Sequence, residues 1–310
     1  MLKKLALKKI LIVSLSFTVL LLIYFFPTTS NELKINTRVN YVDVTKTTMY
    51  LIDKFNYVSR IEVVNHYNKE VSIKDIINNL TIDSVSTSHI PSDFKKVIPK
   101  NTKLLDHSIN NKILKLNFSK EFLKMEKESE EKVIEALIYT LTELKEVDGI
   151  MIFVEGDLLT NLPHSQKILP NILDRSYGIN KVYDLISLKE TTKVTTYYVS
   201  KLENFIYYTP VTTISNENQE KVEIIIENLK SNPTYQTNLI SYLQNEAKLV
   251  DYQILENSVN LSFNNYILSL NDYEISEEVK YTIALSIKDT YNINETIFYV
   301  DDMLIDVFFV

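Results

Sequence analysis

The side chains that could do chemistry in this sequence are few and scattered. The four histidines have no spacing that would place two of them on one helix face or one hairpin rung, as a metal site prefers: His66, His89, His107 and His164. Cysteine is absent, which excludes disulfides, thiol nucleophiles and zinc–cysteine sites. Glycine occurs only three times, which is too rare for the phosphate-binding loops of nucleotide enzymes. We therefore predict neither a metal nor any other cofactor.

A Ser-x-x-Lys pattern, the nucleophile motif of penicillin-binding enzymes, occurs once, at Ser92 to Lys95. It follows Pro91 in a segment that is predicted to be a loop, and the partner motifs of that enzyme class are missing. We interpret the match as coincidence.

Two acidic pairs could be imagined as the carboxylates of a glycan hydrolase, namely Glu155 with Asp157 and Asp301 with Asp302. They follow equivalent predicted strands in the two halves of the chain, so a role in turns explains them more simply. Four tyrosines could line a glycan surface but are typical of strands and cores: Tyr197, Tyr198, Tyr207 and Tyr208. We predict no catalytic residue and no enzyme.

The N-terminal segment predicts a membrane anchor. Residues 10–26 form an uncharged, mostly apolar run at the lower length limit of a spanning helix, with Lys3, Lys4, Lys8 and Lys9 before it. The positive-inside rule then places the N-terminus in the cytoplasm and everything after Pro27 outside. A cleaved signal peptide is less favoured because Tyr24, Phe25 and Phe26 end the run, and a buried soluble helix fits poorly. The expected location is the cell membrane, in a single pass.

The rest of the chain is acidic. The formal net charge is −7 although four lysines precede the apolar run, and no basic stripe with interleaved aromatics offsets this charge. Nucleic acid phosphates should repel such a surface. We expect no nucleic acid partner.

An internal repeat organises the outer part. Residues 103–123 align without gaps onto residues 248–268 with seven identities, and residues 133–158 lie over residues 279–304. Upstream, the helix-like spacing of Ile73, Ile76, Ile77 and Leu80 recurs as Val222, Ile225, Ile226 and Leu229. Residues 49–55 correspond to residues 196–202 as an opening strand. Each copy is therefore predicted to run strand, strand, helix, strand, strand, helix, strand.

The predicted fold class is α+β, in two tandem copies of a small domain behind the membrane helix. The second helix of the first copy should bury one stripe that includes Leu137 and Leu141, with Gly149 ending it and the helices on one side of a sheet. The hairpin and second helix of each copy should share a core: Leu116, Phe118, Leu137 and Leu141 in the first, and Leu261, Phe263, Ile283 and Ile287 in the second.

The repeat resembles the GerM (GerMN) domain, the sporulation and spore germination module of spore-forming bacteria and their relatives. Four segments carry the resemblance: residues 98–105 (IPKNTKLL), 116–123 (LNFSKEFL), 136–144 (ALIYTLTEL) and 147–156 (VDGIMIFVEG). The second copy is more diverged, with Asp302 in place of Gly156. The resemblance implies tandem domains outside the membrane, an α+β fold similar to ring-building modules of secretion-type assemblies, and no established enzymatic activity.

These patterns divide the chain into residues 1–27 (cytoplasmic lysines and transmembrane anchor), 28–46 (polar stalk), 47–160 (first domain), 161–190 (connecting segment) and 191–310 (second domain). The predicted function is a non-catalytic extracytoplasmic assembly or scaffolding module of the cell envelope. Its partners should be the membrane and an envelope protein or further copies of itself. A cell-wall glycan-binding or glycan-active protein, with peptidoglycan as partner, is the alternative.

Overall fold

The computed structural model of the chain describes residues 14–16, 18, 45–66, 71–203, 205–230, 238–269 and 273–310. The predicted membrane anchor and polar stalk lie almost entirely outside these residues. Among the described residues, none belongs to a helix that is both long and apolar enough to cross a membrane. Residues 43–310 form one compact unit.

The first copy of the repeat contains the predicted elements in the predicted order, with two additional short strands. Its elements are β1 (Lys46–Ile52), β2 (Val58–Asn65), α1 (Ile73–Leu80), β3 (Ser88–His89), β4 (Leu104–Asn110), β5 (Ile113–Phe118), α2 (Glu130–Leu141), β6 (Gly149–Val154) and β7 (Asp157–Leu158). Strands β4 to β7 form a four-stranded sheet in sequence order, in which β5 and β6 are parallel because α2 connects them.

The second copy repeats this order after a connector. The connector holds a 3₁₀ turn (Arg175–Tyr177) and β8 (Val182–Asp184). The copy itself contains β9 (Thr192–Leu202), β10 (Phe205–Ser215), α3 (Lys221–Lys230), β11 (Leu249–Ile254), β12 (Ser258–Phe263), α4 (Glu277–Tyr291), β13 (Glu295–Val300) and β14 (Met303–Phe309). Strands β11 to β14 form the matching four-stranded sheet. The α+β class and the duplication are confirmed.

A six-stranded central sheet joins the two copies. The opening hairpins β1–β2 and β9–β10 meet where Arg60 of β2 pairs antiparallel with Tyr208 of β10, and the short strands β3 and β8 complete the sheet. The repeat pattern did not predict this union, because it shows only that the hairpins are equivalent. The connector, predicted to be an irregular link, contributes β8 to the same sheet.

Each copy has the predicted core. Leu116, Phe118, Leu137 and Leu141 are at most 1% exposed, as are their counterparts Leu261, Phe263, Ile283 and Ile287. The two sets lie in separate hydrophobic clusters, and the first cluster extends into the second copy through Tyr197, Tyr207 and Leu285. The predicted pairing of hairpin and second helix is therefore correct in both copies.

Two details of the predicted second helix are wrong. Gly149 does not end the helix, because α2 ends at Leu141 and Gly149 begins β6. Nor is one stripe buried, since every residue from Val133 to Leu141 is buried. The physical reason is that α2 contacts two sheets, through β1 of the central sheet and β6 of its own, so the helix is covered on both faces.

Candidate functional site

The residues that the sequence offered for chemistry lie apart. His66, His89, His107 and His164 are all exposed, and the described residues contain no group of three or more His, Asp or Glu side chains placed to hold a metal ion. Ser92 and Lys95 are exposed in a turn, where the backbone of Lys95 exchanges hydrogen bonds with that of Ile52. The structure brings no nucleophile and base together at this motif.

Three of the four acidic residues lie in hairpin turns, and Asp157 begins β7 directly after its turn. Glu155 and Gly156 form the two-residue connection between β6 and β7, and Asp301 and Asp302 form the one between β13 and β14. All four turn residues have positive φ angles, as such tight hairpins require. The Glu155 carboxylate accepts a hydrogen bond from the backbone N–H of Lys120 at 3.0 Å. Their geometry is that of turns.

The tyrosines lie mainly in the interior. Tyr197, Tyr198 and Tyr207 are at most 4% exposed, and Tyr208 is half-buried. The hydroxyl of Tyr207 donates to Asp53 at 3.0 Å, and that of Tyr198 donates to the carbonyl of Asn228 at 3.2 Å. Tyr197 leads to the most elaborate polar cluster of the described chain, where the two copies meet.

At this junction, equivalent residues of the two copies contact each other. The hydroxyls of Tyr50 and Tyr197 are 2.9 Å apart. The backbone N–H of Tyr50 donates to Thr140 on α2 at 2.9 Å, and that of Tyr197 donates to Ser286 on α4 at the same distance. Alignment of residues 133–158 with residues 279–304 makes Thr140 and Ser286 equivalent. The junction is therefore pseudo-symmetric.

One connector residue, Arg175, occupies the centre of the junction. Its guanidinium lies 2.7 Å from an oxygen of Glu143, just after the end of α2, and 2.6 Å from an oxygen of Asp289 in α4. These two carboxylates are again at equivalent positions. It also donates to Thr142 at 2.9 Å and lies over the Tyr139 ring. A single buried cation thus binds the same acidic position of both copies. We name Arg175, Glu143, Asp289, Tyr50 and Tyr197 the junction cluster.

The two carboxylates of the cluster differ in their electrostatics: burial raises the pKa of Asp289 despite Arg175, whereas Glu143 is held ionised. Burial by itself would raise the pKa of Glu143, but Arg175 and Lys288 outweigh it and lower the pKa to about 2. Burial raises the pKa of Tyr50 well above its ordinary value, so its hydroxyl stays neutral and hydrogen-bonded. A buried ion pair of this kind costs more to break than to keep. The cluster therefore holds the two copies in one arrangement.

The sequence pattern did not reveal Arg175, because it lies in a connector without periodicity. The repeat alignment did contain one signal, since it places the acidic residues Glu143 and Asp289 at equivalent positions.

The exposed sheet edges form the second notable feature. Among the described strands, none pairs with the outer edge of β14, and Met303, Leu304 and Phe309 on this strand are 63%, 56% and 65% exposed. Edge strands β4 and β11 are likewise unpaired by described residues, and they expose Leu105, Ile109, Val250 and Ile254. Such edges offer backbone donors and acceptors to another chain.

The duplicated fold and the junction cluster define a class of protein, namely a tandem pair of α+β domains that share one central sheet. A family model for sporulation and spore germination matches residues 23–160. The spore germination protein GerM of Bacillus subtilis strain 168 is 28% identical over 247 residues, covering 78% of this chain and 67% of that protein. The solved tandem GerMN domains of Bacillus subtilis GerM cover 83% of this chain and 91% of theirs, with TM-score 0.75 and 25% identity. The chain is therefore similar to GerM in sequence over most of its length and in the fold of its tandem domains.

Proposed function

We propose that this chain is a non-catalytic assembly module of the cell envelope, acting in sporulation or spore germination, that binds another envelope protein or copies of itself. The relatives support the process, since they are sporulation and spore germination proteins. The apolar run behind four lysines supports a membrane anchor with the tandem domains outside the cytoplasm.

The observation that carries the proposal is the free edge of β14. This strand is seven residues long, and its outer edge has no partner among the described strands. Exposed apolar side chains accompany the free backbone groups. Folded proteins ordinarily cover such an edge with another element or place charged side chains on it. A second chain that adds a strand here would satisfy the backbone and bury the apolar side chains.

The junction cluster supports the same role. An assembly module must present its edges in a fixed arrangement, and the shared central sheet together with Arg175 fixes the two copies relative to each other. Preorganisation of this kind lowers the entropic cost of association.

Site-specific photocrosslinking in living cells tests the proposal. A photoreactive amino acid at Val307 of β14 should crosslink to a second copy or to one defined envelope protein, which mass spectrometry would identify. The same probe at Ile186, which is 97% exposed in the connector, is the matched control. An equal pattern of crosslinks at both positions would refute assembly through β14.

The glycan-active alternative is tested with purified cell wall. The full chain and a variant with Glu155, Asp157, Asp301 and Asp302 changed to Ala should both release no fragments that mass spectrometry detects. A hydrolase would need its acid and its nucleophile or base. Fragment release by the native chain that the fourfold variant lacks would replace the assembly proposal with catalysis.

The membrane topology is tested with protoplasts. Protease added outside should remove a tag placed after Val310, while a tag before Lys3 should stay protected. The reverse pattern would invert the topology and remove the envelope from the proposal.

A further inference from the structure

Two equivalent clefts flank the line where β2 meets β10. The hairpin ladders pair Thr48 with Glu62 in the first copy and Thr195 with Thr212 in the second, so Glu62 and Thr212 are equivalent. The hydroxyls of the equivalent pair Ser59 and Thr209 touch at 2.8 Å, midway between the clefts. One cleft has α2 as its wall, and the other has α4.

The connector fills the cleft beside α2. The backbone N–H of Thr212 donates to the carbonyl of Ile179 at 2.9 Å. Two residues further on, the Lys181 ammonium lies 2.8 Å from Glu131 and 2.5 Å from Glu135, and 4.1 Å from the ring centre of Tyr177. This cleft shows what such a site accepts, namely an extended segment whose lysine reaches the first turns of the helix.

Asn180, between Ile179 and Lys181, explains why the connector runs through the cleft beside α2. Its side-chain amide donates to the carbonyls of Val58 and Pro210 and accepts from the N–H of Val58, all at 2.8 to 2.9 Å. Pro210 has no N–H, so β2 and β10 cannot pair directly at this point. At the other cleft the equivalent residues, Tyr208 and Arg60, do pair directly.

The cleft beside α4 is open, with a volume of about 420 Å³. On β2, Arg60 pairs with β10 and Val64 pairs with β3, while no described residue pairs with Glu62 between them. Backbone groups of alternate residues face the same strand edge, so the Glu62 peptide faces the cleft, as the Thr212 peptide faces the connector. The cleft therefore presents a free backbone site at the equivalent position.

The wall of the open cleft keeps the acidic and aromatic character of its counterpart. Glu277 of α4 is equivalent to Glu131, and Glu278 follows it. Glu277 already pairs with Lys280 at 2.6 Å, much as Glu131 pairs with Lys167 as well as with Lys181. The Glu278 carboxylate is half-buried and makes no hydrogen bond or ion pair with the described residues. The rings of Tyr208 and Tyr281 stack along the same wall at 5.4 Å. Carboxylates beside aromatic faces suit an ammonium group.

Arg60 adds a positive charge to the lining. It is 8% exposed, and its Nε has no hydrogen-bond partner within the described chain. Its other contacts are Thr48 at 3.3 Å and Glu62 at 3.6 Å. Because this Nε is itself buried away from the cleft, Arg60 contributes its positive charge to the lining and not a hydrogen bond to a ligand. Glu62 faces Lys46 and Arg60, and Glu277 pairs with Lys280, so Glu278 is the lining carboxylate left for a cationic group of the ligand.

We propose that the open cleft beside α4 binds an extended, lysine-bearing segment of another protein chain, in the way that the connector fills the cleft beside α2. The Glu62 peptide would pair with the segment, and its lysine would reach Glu277 and Glu278 against the tyrosine rings. This inference rests on the proposed assembly role and names the chemistry of the partner.

The connector itself supplies the probe. A fluorescent peptide with the sequence of residues 177–184 (YGINKVYD) carries the spacing that fills the counterpart cleft. Fluorescence polarisation with the full chain in a nonionic detergent should show saturable binding. The peptide carrying Lys181→Glu should bind at least about tenfold more weakly, because hydrogen-bonded charge pairs discriminate by this amount or more.

The variant chain that identifies the site is Glu277→Gln with Glu278→Gln, which should weaken binding about tenfold. Glu256→Gln, at an exposed glutamate in the β11–β12 turn, is the matched control and should leave binding unchanged. Circular dichroism confirms that each variant is folded. Absence of binding, equal binding of the Lys181→Glu peptide, or equal binding by the double variant would overturn the proposal.

The two proposals can fail separately. Val307→Lys on β14 blocks the proposed edge assembly but is not in the lining of the cleft, so peptide binding should survive it. Peptide binding without Val307 crosslinks would overturn edge assembly alone. Crosslinks from Val307 without peptide binding would overturn the cleft inference alone.

Discussion

The two copies of the repeat share their fold but differ in how their last strands are covered. In the first copy, β7 has two residues, and the connector then continues along β6, where Leu173 and Ile150 exchange backbone hydrogen bonds at 2.8 and 2.9 Å. In the second copy, β14 has seven residues and an outer edge with no described partner. The terminal strand is therefore short and continued by the connector in the first copy, and long and unbroken in the second.

The two copies also differ in the clefts beside α2 and α4. The connector fills one cleft and provides the single arginine that both copies share, so the first copy is finished by residues outside the repeat. The second copy has no such segment among the described residues. Duplication thus produced two similar domains, and the connector made them unequal.

The largest expected effect comes from removing the shared cation. Arg175→Met leaves Asp289 without its cation and Glu143 with Lys288 alone, and it should lower the free energy of unfolding by up to about 5 kcal/mol. Because Arg175 links the copies, a single chemical unfolding transition should also divide into two. Lys145→Met, at an exposed lysine, is the control. A loss below about 1 kcal/mol would mean that the cluster does not couple the copies.

The two cores offer the next comparison. Phe118→Ala and Phe263→Ala change equivalent buried positions, and each should cost about 4 kcal/mol as a cavity. Phe118 also stacks on Phe122 with centroids 4.4 Å apart, whereas the second copy has Ile267 at that position, so the first variant should lose about 1 kcal/mol more. Urea unfolding measures both. A larger loss for Phe263→Ala would contradict the packing comparison.

These residues also show how far the sequence could be interpreted. The alternation of apolar residues in the hairpins and their spacing in the helices predicted the core, because burial on one face leaves a periodic trace. Alignment of the repeat then predicted the order of elements twice. Those are local and near-local signals.

The sequence contains no comparable pattern that predicts the junction or the clefts. Tyr50 and Tyr197 looked like ordinary strand residues, although their hydroxyls meet across the copies at 2.9 Å. Asn180 and Arg175 lie in a segment without period, and their roles depend on which strands meet, which is a tertiary fact. The burial of α2 from Val133 to Leu141 was missed for a similar reason, since the second sheet that covers it is formed by the fold and is not evident in its own sequence.

The pH dependence of stability tests whether Glu143 is held ionised in the junction cluster. The folded-state pKa of Glu143 is about 2, below its unfolded value, so the stability from its ionisation is present at neutral pH and is lost as pH falls toward 2. Between pH 6 and pH 3, the native chain should lose about 2 kcal/mol more than Glu143→Gln loses. Equal losses in parallel denaturation series would show that Glu143 is not held by Arg175 and Lys288.

The smallest expected effect concerns the turns that end the two copies. The first copy uses Gly156 at a φ of 93°, and the second uses Asp302 at a φ of 62°, which aspartate tolerates better than most residues. A side chain added at Gly156 would meet no atom within 4 Å, so only the backbone would oppose it.

Gly156→Asp should therefore cost about 1 kcal/mol, and Asp302→Gly should change the stability by less than that, because relief of strain is offset by a more flexible unfolded chain. Thermal unfolding of both variants at one pH measures the difference. A cost at Gly156 well above 2 kcal/mol would mean that the β6–β7 turn is held more tightly than its open surroundings allow. The stability of the first copy would then depend more on its β6–β7 hairpin than the stability of the second copy depends on the β13–β14 hairpin.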